Sequence, residues 1–130
     1  ILCMPRQTIA LTRIKCKCSV HTPMFDFNDK KYMRVTVPDE IAFKVRSAQS
    51  RIILHGPNVD NPLEGNVLTV KIPFRYRRVM CSYEGAPVQS LKKSDEVEIK
   101  TDFMGGWNIG NHSGFTWKLS SIKLLDTLIV

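Results

Sequence analysis

Two segments of the chain alternate apolar and cationic residues. Residues 12–18 are basic at the odd positions and mostly apolar at the even ones, whereas residues 68–77 are apolar at the even positions and basic at three of the odd ones. The basic residues of the two segments are Arg13, Lys15, Lys17, Lys71, Arg75 and Arg77. Successive side chains of a strand point to opposite faces, so each segment is predicted to be a strand with one apolar and one cationic face.

Further alternating stretches predict the rest of a sheet. The expected strands cover residues 8–20, 32–37, 97–103 and 115–119. The first is expected to break at Thr22-Pro23, and the glycine-rich residues 105–114 are predicted to link into the last strand. Pro73 has no N–H to donate, which favours an edge strand or a bulge at that point of the second basic strand.

One stretch carries a helix signal. Pro38 is tolerated in a first helical turn, and Asp39 and Glu40 suit the positive end of the helix dipole. Apolar residues follow at helical spacing, at Ile41, Val45, Ala48 and Ile52. The alternation Ile41-Phe43-Val45 also fits a strand, so both interpretations stay open here.

These elements predict an α+β, β-rich fold with a mostly antiparallel twisted sheet and one or two helices. The chain has 130 residues, of which 43% are hydrophobic and 24% are charged. A chain of this size and composition is expected to form a single globular domain over residues 1–130. Because it does not begin with Met, we expect an N-terminal tail to have been trimmed.

The charge favours an acidic partner. The net charge is +7 and the isoelectric point is about 9.4, which fits nucleic acid, an anionic lipid surface or an acidic protein. The excess lies in residues 1–37, with seven Lys/Arg and two Asp/Glu, and in residues 65–93, with six and one. The two basic strands belong to these blocks, and their cationic faces would merge into one patch if the strands lay side by side.

Nucleic-acid binding would use the cationic residues of both segments. The candidate phosphate contacts are Arg13, Lys15, Lys17, Lys71, Arg75, Arg77 and Arg78. Such contacts are independent of base sequence and sensitive to salt. Tyr76 lies near the second group, but its position on the apolar face of the predicted strand favours core packing.

A membrane surface is an alternative anionic partner. Lys30 and Lys31 stand beside four large apolar or aromatic residues, Phe25, Phe27, Tyr32 and Met33. This combination of cations and apolar side chains would allow the loop to bind at the surface of an anionic membrane. In the competing interpretation, the aromatic residues of the loop fold inward.

No catalytic site, metal site or cofactor is predicted. The three histidines, His21, His55 and His112, all lie beside turn residues and none has a marked catalytic partner. Cys16 and Cys18 lie on the apolar face of their strand, and no second pair of Cys or His stands at zinc-site spacing. We therefore expect reduced, buried thiols and a protein that is not an enzyme. A large polar pocket around His112 would revive the enzyme hypothesis.

Three stretches of the chain resemble the globular core of rhabdovirus matrix proteins. They are residues 9–25 with a strand followed by a Pro-aromatic step, residues 64–72 with a strand behind Glu64-Gly65, and the Ser-Gly-aromatic-Trp strand of residues 113–122. Together they cover about a third of the chain in the order of that family. The Pro-Pro-x-Tyr signal of the family's basic N-terminal tail is not in this sequence.

The resemblance implies a structural virion protein. Such a protein would self-associate, bind the nucleoprotein–RNA complex and link it to the inner membrane face, and would occur in the virion and in the host cytoplasm or nucleus. The apolar end of the chain would then be a subunit contact, through Leu124, Leu125, Leu128, Ile129 and Val130. The alternative is a basic nucleic-acid-binding module, such as a viral movement protein or a single-strand-binding protein.

Overall fold

Alternation of buried and exposed side chains places most of the chain in strands. The computed structural model describes residues 11–54 and 56–125. The ten strands in this part of the chain are β1 (Thr12–Phe27), β2 (Lys30–Thr36), β3 (Asn58–Asp60), β4 (Leu63–Glu64), β5 (Val67–Ile72), β6 (Phe74–Arg75), β7 (Arg78–Val79), β8 (Ser82–Glu84), β9 (Glu96–Ile109) and β10 (His112–Leu124). The helix α1 (Asp39–Gln49) follows β2, and a single 3-10 turn (Val88–Ser90) precedes β9.

Five of the strands form a sheet that closes on itself. β10, β9, β1, β2 and β5 are neighbours in that order and pair antiparallel. A parallel bridge between Lys118 of β10 and Lys71 of β5 joins the two ends. β3 and β8 add to β10 in parallel, and β4 adds to β5. The prediction of a β-rich, mostly antiparallel fold is confirmed, although the sheet is mixed.

The inner faces of the closed sheet form the core. Met33, Val35, Val70 and Leu119 are fully buried there. Trp117 stacks on Phe103, with ring centroids 4.8 Å apart. This filled interior fixes which side chains of each strand point outward, since alternate residues must take the other face.

The helix α1 begins as its sequence predicts. Pro38 occupies the N-cap with φ −62° and ψ 159°, and Asp39 and Glu40 lie in the first turn. Ile41, Ala42, Val45 and Ala48 are buried along one side, so the helical interpretation is confirmed and the strand alternative is wrong. Ile52 follows the end of the helix and is half-buried.

A buried hydrogen-bond chain ties the helix to the sheet. The Trp117 indole Nε1 donates to Gln49 Oε1 at 3.0 Å, and Gln49 Nε2 donates to Asn61 Oδ1 at 3.2 Å. Asn61 Oδ1 also accepts from the Leu63 backbone N–H at 3.0 Å. Gln49 is only 5% exposed, and its side-chain carbonyl accepts the buried indole N–H of Trp117, which would otherwise lack a partner.

Two expected strand boundaries are wrong. β1 continues through Pro23 to Phe27, because register shifts between Val20 and Thr22 and between Thr22 and Phe25 absorb the proline. The glycine-rich residues 105–109, expected to be a link, belong to β9. Gly105 has φ +97° beside another register shift, so a glycine there lets the strand bend without ending.

The second basic segment is not one strand. β5 ends at Ile72, and Pro73 separates it from the small hairpin β6–β7, which pairs only with itself. The proline lacks the N–H that would extend the ladder. Tyr76 lies in the hairpin turn and is 80% exposed, so the prediction that it packs in the core is wrong.

Candidate functional site

The two basic segments do not pair with each other. Residues 12–19 of β1 pair with β9, whereas β5 pairs with β2 and β4. β2 therefore separates the two segments in the sheet. The two basic segments are not neighbouring strands, so the condition for one merged cationic patch is not fulfilled.

Acidic side chains of β9 accompany the basic residues of β1. Arg13 donates from Nε and Nη2 to the two carboxylate oxygens of Asp102 at 2.6 and 3.0 Å, and these hydrogen bonds, together with the charge of Asp102, raise the pKa of Arg13. Lys15 Nζ lies 3.8 Å from Glu98 Oε1, and Lys17 stands directly opposite Glu98 in the ladder. We name these five residues the β1–β9 face.

Aromatic and basic side chains share the outer surface of β2. Phe25 of β1 and Lys71 of β5 stand opposite Tyr32 on its two sides, and Thr69 stands opposite Arg34. Directly opposed residues point to the same side of a sheet. These five residues, named the β2–β5 face, therefore form one continuous surface.

The rings and the cation of this face are in contact. The Phe25 and Tyr32 ring centroids are 6.0 Å apart. The Arg34 guanidinium carbon lies 4.8 Å from the Phe25 ring centroid, and Arg34 Nε donates to Thr69 Oγ1 at 3.3 Å. Burial, followed by the charge of Asp60, raises the pKa of Tyr32, so its phenol is neutral near pH 7. The face offers ring surfaces and a held guanidinium.

The β6–β7 hairpin emerges at one end of this face. Ile72, the last residue of β5, pairs with Lys31 of β2, so the chain leaves β5 beside the β1–β2 turn. Lys31 Nζ lies 4.8 Å from the Phe74 ring centroid and 2.6 Å from Asp26 Oδ1. The hairpin thus brings its three exposed arginines, Arg75, Arg77 and Arg78, next to the β2–β5 face.

This end of the molecule is strongly cationic. Residues 25–34 and 69–79 contain seven Lys/Arg and two Asp/Glu. In the part of the chain that the structure describes, no carboxylate lies within ion-pair distance of Lys30, Arg34 or the three hairpin arginines. Six predicted site residues meet here: Lys30, Lys31, Lys71, Arg75, Arg77 and Arg78. The other three, Arg13, Lys15 and Lys17, lie on the β1–β9 face.

Two members of this site were missed from the sequence. Arg34 follows Tyr32 by two residues in a predicted strand, so the alternation of that strand already placed the two side chains on one face. Tyr76 is predicted to pack in the core because the sequence pattern continues the strand through the hairpin turn. Of the four large residues beside Lys30 and Lys31, Phe27 is 59% exposed, Phe25 and Tyr32 are half-buried, and Met33 is fully buried.

No described feature marks a catalytic or metal centre. His21 Nδ1 lies 2.8 Å from Thr22 Oγ1, His112 is exposed at the start of β10, and His55 lies outside the described residues. Two open depressions, of about 250 and 330 Å³, are not lined by His112. Over residues 11–54 and 56–125, no group of three His, Cys, Asp or Glu is placed to hold a metal ion. That the protein is not an enzyme stays a prediction.

The three thiols in the described part of the chain lie inside the protein. Cys16, Cys18 and Cys81 are free and buried, as the sequence predicts for the first two. A hydrogen bond between the first two thiols lowers the pKa of Cys16 and, with burial, raises the pKa of Cys18. Cys16 and Cys18 therefore belong to the core and not to the cationic surface of their strand.

The predicted self-association segment is described only in part. Leu124 is half-buried against the core, and the Leu125 N–H donates to the Glu96 carbonyl at 2.9 Å. Leu128, Ile129 and Val130 lie outside the described residues. Self-association through this segment therefore stays a prediction.

Comparisons with protein-family models, with curated proteins and with solved structures found no match to this chain. The resemblance to rhabdovirus matrix proteins therefore stays a prediction from the sequence. Within the described residues, no helix has the length and apolar character needed to cross a membrane.

Proposed function

We propose that the protein is a nucleic-acid-binding module. Its interface consists of the β2–β5 face and the β6–β7 hairpin. The observation that carries this proposal is the meeting of Arg34 and the three hairpin arginines, which have no carboxylate partner among the described residues, with partly exposed rings at one end of the closed sheet. Nucleic acid requires both features, since its phosphates take cations and its bases stack on rings.

The hairpin holds like charges against each other. Arg75 and Arg78 are directly opposed in the β6–β7 ladder, and both are exposed. Like charges in opposed positions destabilise a strand pair. An anion placed between the two guanidinium groups relieves this repulsion, and a phosphate accepts the planar donors of arginine well.

The two rings of the β2–β5 face suit bases better than lipid. Phe25 and Tyr32 are half-buried along a strand face, so they offer flat surfaces for stacking but do not project into an acyl layer. Stacking of a base on an aromatic side chain contributes about 1–3 kcal/mol and tolerates any base. Arg34, held over Phe25, adds a second planar surface and a charge.

The architecture agrees with this proposal by analogy alone. Small closed sheets of five strands with Greek-key connections include oligonucleotide-binding proteins, whose ligand lies across the second and third strands and the flanking loops. In this chain the second and third strands of the closed sheet are β2 and β5. Folds host many functions, so the argument rests on the side chains and not on this analogy.

Two matched variants test the proposal. Arg75→Gln/Arg78→Gln and Lys15→Gln/Lys17→Gln each remove two positive charges, from the hairpin and from the β1–β9 face. We expect the hairpin variant to weaken binding of a short single-stranded RNA about tenfold and to reduce the slope of log affinity against log salt by about 1.4. The β1–β9 variant should change affinity by less than about threefold, because Glu98 lies 3.8 Å from Lys15 and directly opposite Lys17 and offsets part of their charge.

The same assay contains the outcomes that overturn the proposal. Equal losses from the two variants would show only a response to net charge. Binding to vesicles that contain phosphatidylserine, without binding to the RNA, would assign the interface to a membrane. The hairpin variant should unfold no more easily than the natural protein, since it removes a repulsive pair, and that result separates loss of binding from loss of fold.

Assembly of a virion shell stays the competing prediction. Its observable is light scattering at low and high salt without RNA, where salt-dependent growth into large particles would support it. A salt-sensitive shift seen only when RNA is added, from a stable small species, would support the nucleic-acid module.

A further inference from the structure

Two tight hairpin turns in the described part of the chain share one backbone type. In the β1–β2 turn, Asn28 and Asp29 have φ 51° and 62°, and in the β6–β7 turn, Tyr76 and Arg77 have φ 56° and 62°. In each case the flanking residues form the last pair of the ladder, Phe27 with Lys30 and Arg75 with Arg78. Two-residue loops with positive φ at both positions are type I′ turns.

The residues of the second turn do not suit its backbone. Asn, Asp and Gly take positive φ at little cost, and they dominate type I′ turns. A bulky residue such as Tyr in this region is a genuine outlier, and such strain points to a function of the side chain. The β1–β2 turn shows that the same geometry is built here with favourable residues. The shape of the second turn alone therefore does not explain Tyr76 and Arg77.

The turn presents its ring to solvent. Tyr76 is 80% exposed, and none of the ring contacts in the described part of the chain includes it. Arg75, Arg77 and Arg78 surround it and are exposed as well. A ring in this position contributes nothing to the core.

The base of the hairpin is anchored, so the ring has a defined place. The Met80 N–H donates to the Pro73 carbonyl at 2.8 Å, and Lys31 Nζ lies 4.8 Å from the Phe74 ring centroid. Pro73 directly follows β5, whose Lys71 lies on the β2–β5 face. Tyr76 is therefore held at the end of a short ribbon beside the surface proposed to bind nucleic acid.

We propose that Tyr76 stacks on an unpaired base while the arginines around it contact the adjacent phosphates, so that the hairpin selects single strands over duplex. This inference rests on the proposed function. A stacked duplex covers the faces of its bases, and only an unpaired base can lie against the ring. Phosphate contacts alone would serve both forms of nucleic acid.

Three substitutions at position 76 test the inference. Tyr76→Ala removes the ring, Tyr76→Phe removes only the hydroxyl, and Tyr76→Asn installs a residue that favours the turn. We expect Tyr76→Ala and Tyr76→Asn to lower affinity for a short single-stranded RNA about tenfold and affinity for a duplex of equal length by less than about twofold. Tyr76→Phe should bind as the natural protein does.

A spectroscopic signal and a stability measurement complete the design. Stacking on Tyr76 should change the fluorescence of a 2-aminopurine placed in the single strand, and Tyr76→Asn should abolish this change. Tyr76→Asn should melt at or above the temperature of the natural protein, because Asn fits positive φ, so its loss of binding is not a loss of fold.

The results separate this inference from the function on which it rests. If the natural protein binds RNA and the arginine variant is weakened, but Tyr76→Ala binds single strands normally, the stacking role is wrong and the module stands. Equal losses on single strand and duplex would also overturn the selectivity. If the natural protein binds neither form, the proposed function and this inference both fail.

Discussion

The two basic strands of this protein start from one pattern and reach opposite electrostatic outcomes. The cations of β1 face Glu98 and Asp102 of β9, including a bidentate pair at 2.6 and 3.0 Å. Beside β5, the β2 residue Arg34 lies next to the Phe25 ring and Thr69, and the exposed arginines of the β6–β7 hairpin have no carboxylate within ion-pair distance among the described residues.

This difference shows that strand alternation determines on which face of the sheet a cation lies, but not whether a carboxylate lies beside it. Exposed ion pairs add little stability, yet each paired carboxylate cancels a charge that an anionic ligand would use. The carboxylates of Glu98 and Asp102 offset part of the charge of the β1–β9 face, whereas no carboxylate of the described residues lies within ion-pair distance of Arg34 or the hairpin arginines. The following predictions change the neighbours of each face and leave its cations in place.

A carboxylate introduced beside Arg34 should give the β2–β5 face an ion pair like those of the β1–β9 face. Thr69→Glu places an acid opposite Arg34, where Thr69 Oγ1 now accepts from the guanidinium at 3.3 Å. We expect affinity for single-stranded RNA to fall about tenfold, because one cation is neutralised and an anion is added to the path. Fluorescence anisotropy measures the change.

The control makes the same charge change on the neighbouring strand, away from Arg34. Thr36→Glu lies at the far end of β2, opposite Val67 and Ser19. It should weaken binding by less than about threefold, since screening reduces the effect of a distant charge. Equal losses at positions 69 and 36 would remove the distinction between a local site and the general field.

Removal of a ring from the β2–β5 face should lower RNA affinity less than the added carboxylate does. Phe25→Leu removes a stacking surface for a base and the ring beneath Arg34, whose guanidinium carbon is 4.8 Å from its centroid. We expect about a fivefold loss of affinity, near the lower end of measured stacking energies. Phe43→Leu, which replaces a ring 67% exposed on the helix, should leave affinity unchanged, and a similar loss from it would contradict the assignment.

Removal of the two carboxylates from the β1–β9 face should allow that face to bind RNA. Glu98→Gln/Asp102→Asn keeps the shapes of the side chains but frees Arg13 and Lys15 from their partners. We expect a two- to threefold gain in RNA affinity and a steeper salt dependence, by about 0.7 per new phosphate contact.

A matched pair of neutralised acids tests whether this gain is local. Glu64→Gln/Glu84→Gln removes two carboxylates outside the β1–β9 face and should produce less gain. If the two double variants gain the same RNA affinity, ion pairing with Glu98 and Asp102 is not what keeps the β1–β9 face from binding RNA.

Loss of the hydrogen bonds made by Gln49 should lower stability but leave RNA affinity almost unchanged. Gln49→Ala leaves the Trp117 indole and the Asn61 amide without the partners they have at 3.0 and 3.2 Å. We expect a loss of about 1–3 kcal/mol in the free energy of unfolding, measured in urea. RNA affinity of the folded protein should stay within about twofold, and a larger drop would show that the helix positions the binding surface.

Much of the local structure follows from short-range signals in the sequence. The proline and acids at residues 38–40 start the helix, and the alternation of β1, β2 and β9 buries the expected residues. A strand period and a helix cap act within a few residues, so the pattern alone specifies them. By the same rule, the sequence determined which side of each strand carries its charges.

The tertiary structure decided which of those charges remain available. Arg13 and Asp102 are 89 residues apart in the chain, and no local pattern predicts that they meet. Pro73 marks in the sequence where the β5 ladder stops, but only the structure shows that the next residues fold into a separate hairpin and expose Tyr76. Strand pairing is a long-range choice made by the packing of the whole sheet, and the availability of a cation depends on the residues that this packing brings beside it.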